Sequence, residues 1–211
     1  MAPYVVFTLV CVAALLVAEF RGSVTGRWIA KPLASTGFLL AAWAGGAGET
    51  PYGQRVLVAL ALGWLGDVLL IPKRRATFLL GLGSFLLGHL AFAWAFAAEG
   101  LALGAFVVAA LLLAAPALVA VRWLDPHVPD GMRIPVQAYV LVITAMVACA
   151  AGVLGAPRGP WILLGAVMFY VSDLAVARER FVENTPWNKA WGLPLYYGAQ
   201  LLLAWTASVA R

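Results

Sequence analysis

Apolar runs of about 20 residues follow one another along the chain, separated by short polar or Gly/Pro-containing connections. Eight such segments stand out, at about 3–19, 28–46, 53–71, 77–98, 101–121, 134–154, 160–177 and 188–208. At 1.5 Å per residue, a helix of about 20 residues crosses the hydrocarbon of a bilayer, so each run predicts a transmembrane helix. The alternation of a barrel strand is absent, and a helix satisfies its own backbone hydrogen bonds where water cannot. Pro32, Pro116, Pro135 and Pro194 fall inside or near the ends of the runs, a placement membrane helices tolerate. The expected fold is all-α, a polytopic membrane protein of about eight transmembrane helices, with residues 1–211 forming one integral membrane domain.

Composition agrees with the pattern. With 64% hydrophobic and 11% charged residues and a mean hydropathy of +0.94, the chain lies far from soluble globular proteins. The first run lacks a basic leader and a small-residue cleavage site, and is read as a retained span. The net charge of +5 comes from residues clustered in loops, with no basic stripe interleaved with aromatics. Lipid head groups, and not nucleic acid, are the expected anionic partners. Cys11 and Cys149 fall inside spans and read as small core packers.

Loop charges orient the segments. Ten Lys and Arg residues, among them Lys73, fall at the connections after odd-numbered segments, against Arg55, Arg158 and Arg211 on the other side. The excess puts the odd connections in the cytoplasm and both termini outside, the membrane being a bacterial inner (plasma) membrane.

Against this apolar background a few polar residues need a reason to be there. Asp67, in LGWLGDVLLIPKRR, has no cation within five residues, and Asp173 lies in AVMFYVSDLAVARER. An acid inside a span usually marks a pathway, a relay or a reaction site. Both are expected near the cytoplasmic ends of their helices, at a depth shared by Lys31 in the second segment and by Asn188 and Lys189 in the eighth. Each acid follows a small residue, Gly66 or Ser172, which lets a neighbouring helix or a ligand come close. Trp64, one turn before Asp67, is a candidate wall of the resulting cleft. His89 is expected near mid-membrane, either bonding a carbonyl across helices or orienting an acid or a substrate. Metal binding by His89 is disfavoured, because its segment holds no second His or Cys at ligand spacing. The loop DPHVPD, with Asp125, His127 and Asp130, reads as a turn.

A shift of 106 residues lays Asp67 on Asp173, the Lys-Arg-Arg connection near Arg-Glu-Arg, and Lys31 on Gln137. The pattern suggests an internal repeat of four segments plus four. An even number of helices per half gives both halves the same orientation about an axis along the membrane normal, with the two acids facing each other across a central cleft.

In order and spacing, several stretches together resemble the lysoplasmalogenase, or YhhN-like, family of eight-span membrane hydrolases. They are KPL at 31–33, Gly66-Asp67, the series Phe78, Gly81, Phe85 and His89, Tyr139, the series from Gly165 through Ser172 and Asp173 to Phe181, and YGAQLL at 197–202. Phe92 departs from the family pattern, which commonly has Tyr there. The resemblance implies hydrolysis of the vinyl ether of lysoplasmalogen to a fatty aldehyde and a glycerophospho-base. It also adds Tyr139, Tyr197 and Gln200 to the candidate substrate-binding residues.

The chemistry suits the acids. A vinyl ether resists nucleophiles but hydrates once its outer carbon is protonated, through an oxocarbenium ion that water captures. One carboxyl must therefore start protonated and the other ionised, in the division of labour that paired carboxylates show in glycoside hydrolysis. Burial and a like-charged neighbour favour the protonated form of one acid, and Lys31 is placed in sequence to keep the other charged. A lysophospholipid entering from the cytoplasmic leaflet would meet Lys189, Asn188 or Lys31 with its phosphate, its reactive bond near both aspartates. The reaction demands no metal or organic cofactor. The competing expectation is a proton-coupled transporter of a small or lipid-like substrate, since repeats with acids at their interface also describe carriers. Alternating access favours a midplane site, whereas both acids here lie towards one face, which points to an enzyme.

Overall fold

In the computed structural model, which describes residues 1–72 and 74–209, eight long helices follow one another. They are α1 (Ala2–Phe20), α2 (Val24–Ala44), α3 (Pro51–Leu69), α4 (Arg75–Ala97), α5 (Leu103–Leu124), α6 (Asp130–Gly152), α7 (Gly159–Ala177) and α8 (Pro186–Thr206). No strand occurs among the described residues. Lys73 and Arg211, both used in the loop-charge comparison, lie outside them. Local signals set several helix starts: the Ser23 hydroxyl accepts from the Gly26 amide at 3.1 Å, and the Thr50 hydroxyl from the Gly53 amide at 3.0 Å. Proline stands in the first turn of α1, α3, α7 and α8, where its missing N–H costs nothing. Beyond Ala177 the chain continues in a π-helical turn, Arg178–Val182, so Asp173 lies deeper inside a helical run than the apolar segment suggests.

The chain is an integral membrane protein. Large apolar side chains cover its outside, with Leu111 and Leu112 of α5 71% and 72% exposed, a surface suited to lipid and not to water. By length and composition α1, α4, α5, α6 and α7 qualify as membrane-crossing helices. The other three have comparable lengths but are less apolar: α2 carries Arg27 and Lys31, α3 carries Arg55 and Asp67, and α8 carries Asn188, Lys189 and Gln200. These three pack on one another, so the polar burden is concentrated in one sector of the bundle.

Helices α2, α3, α4, α6, α7 and α8 form a closed ring, each packing on the next and α8 returning to α2. Helix α1 packs outside on α2 and α8, and α5 outside on α6. Every neighbour contact around the ring recurs when α2, α3 and α4 are exchanged for α6, α7 and α8, the exchange that the 106-residue shift describes. Aromatic side chains fill the middle of the ring. Phe169 meets Phe85, His89 and Tyr196 edge-on at centroid distances of 6.3, 4.6 and 5.3 Å. Its counterpart under the shift is Gly63, where a Cβ would stand 2.7 Å from the Gln200 amide nitrogen. One half supplies a ring at the centre and the other half makes room.

The α1–α2 contact closes on Gly37, where a Cβ would lie 2.2 Å from the Thr8 hydroxyl. Gly37→Leu is therefore expected to destabilise the bundle by about 1–3 kcal/mol through overpacking. Gly83→Ala, at a position with no atom in the way, should stabilise slightly through helix propensity. Thermal unfolding of both variants in detergent checks the pair, and equal midpoints would contradict the packing described.

Candidate active site

Asp67 lies in the last turn of α3 and is 2% exposed. A carboxylate there meets both the apolar interior and the negative end of the helix dipole, so it needs donors. Three are supplied. Lys31 Nζ of α2 is 3.1 Å from Oδ1, while Ser35 Oγ of α2 and Tyr196 Oη of α8 each donate to Oδ2 at 2.6 Å. Behind them, Tyr197 Oη lies 3.1 Å from Ser35 Oγ, and Gln200 Nε2 donates to Tyr196 Oη at 3.0 Å.

Asp173 of α7 is held by the equivalent pair of helices with different chemistry. Tyr139 Oη of α6 donates to its Oδ2 at 2.5 Å, and His89 Nε2 of α4 lies 3.2 Å from the same oxygen. His89 Nε2 is also 2.8 Å from Tyr139 Oη, which closes a three-membered cluster. His89 is fully buried, and its Nδ1 finds no hydrogen-bond partner among the described residues. That orphaned nitrogen fits a neutral ring with its proton on Nε2, since an imidazolium would bury an unpaired N–H as well. No Lys or Arg pairs with Asp173 among the described residues, and its protein bonds all fall on Oδ2.

Both acids line one cavity of about 230 Å³. Its charged rim is formed by Glu19, Arg27, Glu179, Arg180 and Lys189, with Arg27 3.6 Å from Glu19 and Lys189 3.8 Å from Glu179. Apolar side chains of α4, α5, α6 and α7 line much of the rest, together with Tyr139, Tyr170 and Tyr196. No group of three or more His, Cys, Asp or Glu side chains among the described residues is placed to hold a metal ion. Asp125 and Asp130 instead pair with Arg133, at 3.7 and 3.3 Å.

The structure thus brings Asp67, Asp173, Lys31, Tyr139, Ser172 and Lys189 to one cavity and uses other candidates differently. Trp64 does not line it: the indole N–H reaches across to Thr36 Oγ1 of α2 at 3.1 Å, because the side chain leans off the Asp67 face towards that helix. Tyr197 and Gln200 stand one layer back, bracing Ser35 and Tyr196. Asn188 reaches the cavity wall, but its amide is committed to fastening the π-helical turn to α8. Its oxygen accepts from Arg178 at 2.7 Å and its nitrogen donates to the Glu183 carbonyl at 2.6 Å. The Ser172 hydroxyl turns back onto the Phe169 carbonyl at 2.7 Å. Gln137, laid on Lys31 by the shift, is exposed, and Tyr139 two residues on takes the position facing Asp173. Sequence reading passes over Tyr196 and Ser35. Their only signal is spacing: Ser35 is one turn after Lys31, and Tyr196 one turn before Gln200.

Comparison with known proteins adds relatives. The YhhN family profile matches residues 26–207. A Mycobacterium tuberculosis protein named lysoplasmalogenase is 36% identical over 195 residues, covering 85% of this chain and 70% of its own length. The Bos taurus lysoplasmalogenase TMEM86A is 31% identical over 180 residues, 82% of this chain and 73% of its own. Homo sapiens lysoplasmalogenase TMEM86B is 31% identical over 156 residues, 74% and 64% of the two chains. No solved structure matches the chain.

If Asp67 is ionised and compensated by Lys31, removing the cation alone strands a buried charge. Lys31→Met should cost about 3 kcal/mol, and adding Asp67→Asn to it should recover most of that loss. Thermal unfolding of the single and double variants in detergent measures the coupling. Equal stability of Lys31→Met and the parent protein would show that the pair carries no charge.

Proposed function

The chain belongs to the YhhN family, and from that premise we propose that it hydrolyses the vinyl ether of lysoplasmalogen, a 1-alkenyl-glycerophosphocholine or -ethanolamine. The products are a fatty aldehyde and the glycerophospho-base. The observation that carries this reading is a single cavity lined by one buried and one partly buried carboxylate, of which, among the described residues, Asp67 alone has a lysine within ion-pair distance. Two chemically different acids in one pocket suit a reaction that needs a proton donor and a carboxylate together.

Asp67, with an ammonium and two hydroxyls directed at it, is the ionised member. Asp173 carries the proton on Oδ1, the oxygen its neighbours leave open, while Tyr139 and His89 fix the carboxyl through Oδ2. Proton transfer from Asp173 forms the C–H bond at the outer vinyl carbon and leaves an oxocarbenium ion beside the Asp67 carboxylate. Water adds to the carbon bearing the ether oxygen as Asp67 takes its proton, giving a hemiacetal. Asp67 then protonates the glycerol oxygen as the C–O bond breaks, and the hemiacetal O–H proton passes to Asp173. Aldehyde and glycerophospho-base leave with both acids restored.

In this reading all eight helices cross the membrane, with the termini outside and the charged rim towards the cytoplasmic leaflet of a bacterial inner membrane. The excess of Lys and Arg at the odd connections supports that orientation. Arg27, Arg180 and Lys189 meet the phosphate at the rim, and the scissile bond lies one glycerol deeper.

Purified protein should release aldehyde from an alkenyl lysophospholipid in detergent. Asp67→Asn and Asp173→Asn should each lower kcat by about 10²–10⁴-fold while the protein stays folded. Folded wild-type protein that releases no aldehyde would overturn the assignment, and an Asn variant with wild-type turnover would remove that acid from the chemistry.

A further inference from the structure

The repeat is broken in one place that bears on substrate choice. Helix α1 packs broadly on α8, whereas α5 packs far less on α4, Leu124 joining Phe78 in a buried cluster. The sequence contains the physical cause. Gly26, Ala30, Ala34 and Gly37 give α2 a narrow face, against which α1 closes so tightly that a Cβ at Gly26 would lie 2.7 Å from that of Ala18. Under the shift of 106 the same positions on α6 are Met132, Val136, Val140 and Ile143, a broad apolar face. The cavity that holds both acids extends into this wider region, between Phe78 and Leu82 of α4, Ala120 and Leu124 of α5, and Val140 and Ile143 of α6.

We propose that this apolar arm holds the alkenyl chain of the substrate and sets which chain lengths are hydrolysed; the proposal rests on the lysoplasmalogenase reading above. The arm is continuous with the carboxylate pair, its lining on α4, α5 and α6 is hydrocarbon, and the rim of the same cavity is charged. A molecule with a charged head, a reactive bond near its middle and one apolar tail matches that order of surfaces. The repeat-related space between α1, α2 and α8 is closed by packing, so a single-chain lipid has one seat and one orientation. Because the tail moves from lipid into an apolar arm, length adds little affinity, and fit decides selectivity.

Val140→Trp narrows the arm. It should lower kcat/KM for a hexadecenyl lysolipid by about tenfold or more, the scale of an overpacked contact, and leave an octenyl lysolipid within about twofold, both compared at equal mole fraction in micelles. If Val140→Trp does not fold, as judged by gel filtration and thermal unfolding, Ala120→Phe on the facing helix serves instead. Equal losses for both chain lengths, or no loss for either, would overturn the proposal. Binding of non-cleavable hexadecyl and octyl ether lysolipids, read by thermal shift, tests the arm independently of turnover. Length-selective loss of binding without any aldehyde from the wild type would keep the arm and sink the hydrolase reading. Aldehyde from the wild type with unchanged length dependence in the variants would do the reverse.

Discussion

A carboxyl group buried in an apolar bundle must be neutralised, and only two means are available: a proton, or a cation close enough to replace water. The ring of six helices holds Asp67 buried and Asp173 partly buried, in unlike surroundings. Asp67 faces Lys31 and two hydroxyl donors, and Asp173 faces a tyrosine and a histidine. The rest of the arrangement follows from satisfying these acids. Helices α2, α3 and α8 are joined at Asp67, which Lys31 and Ser35 of α2 and Tyr196 of α8 all reach.

The architecture is a repeated scaffold with unlike contents. Each acid is reached by the equivalent pair of helices, α2 and α8 for Asp67, α6 and α4 for Asp173. If the contents were also repeated, the two carboxyls would have identical surroundings. Phe169 opposite Gly63 breaks the symmetry at the centre, and the narrow face of α2 against the broad face of α6 breaks it at the periphery. At the centre, Tyr196 and His89, one from each acid's cluster, both pack on Phe169. The peripheral difference opens room on one side only.

Tyr139, His89 and Asp173 form a compact hydrogen-bonded cluster. Among the described residues, the hydrogen bonds to Asp173 fall on Oδ2. On the opposite side, Gln200 and Tyr197 hold Tyr196 and Ser35 without touching the cavity themselves. This second layer fixes hydroxyl directions in a region with little water to do so.

Much of the fold was legible without coordinates. Hydropathy is a local sum, so eight apolar runs reproduce eight helices to within a few residues, and the isolated Asp67, Asp173, Lys31 and His89 announce themselves by being expensive in such runs. The direction of each side chain was not legible, because it depends on which helix stands beside it. Trp64 shares a face with Asp67 in projection yet bonds Thr36, and Asn188 sits at the site's edge yet is consumed by Arg178 and Glu183. Tyr196 rather than Tyr197 reaches the acid, a choice made by a rotation of about 100° per residue in α8 and by the packing that sets its phase. The chain by itself therefore determined the helices and the presence of two costly acids. Only tertiary packing decided which neighbours stabilise each one, because those neighbours come from helices distant in sequence.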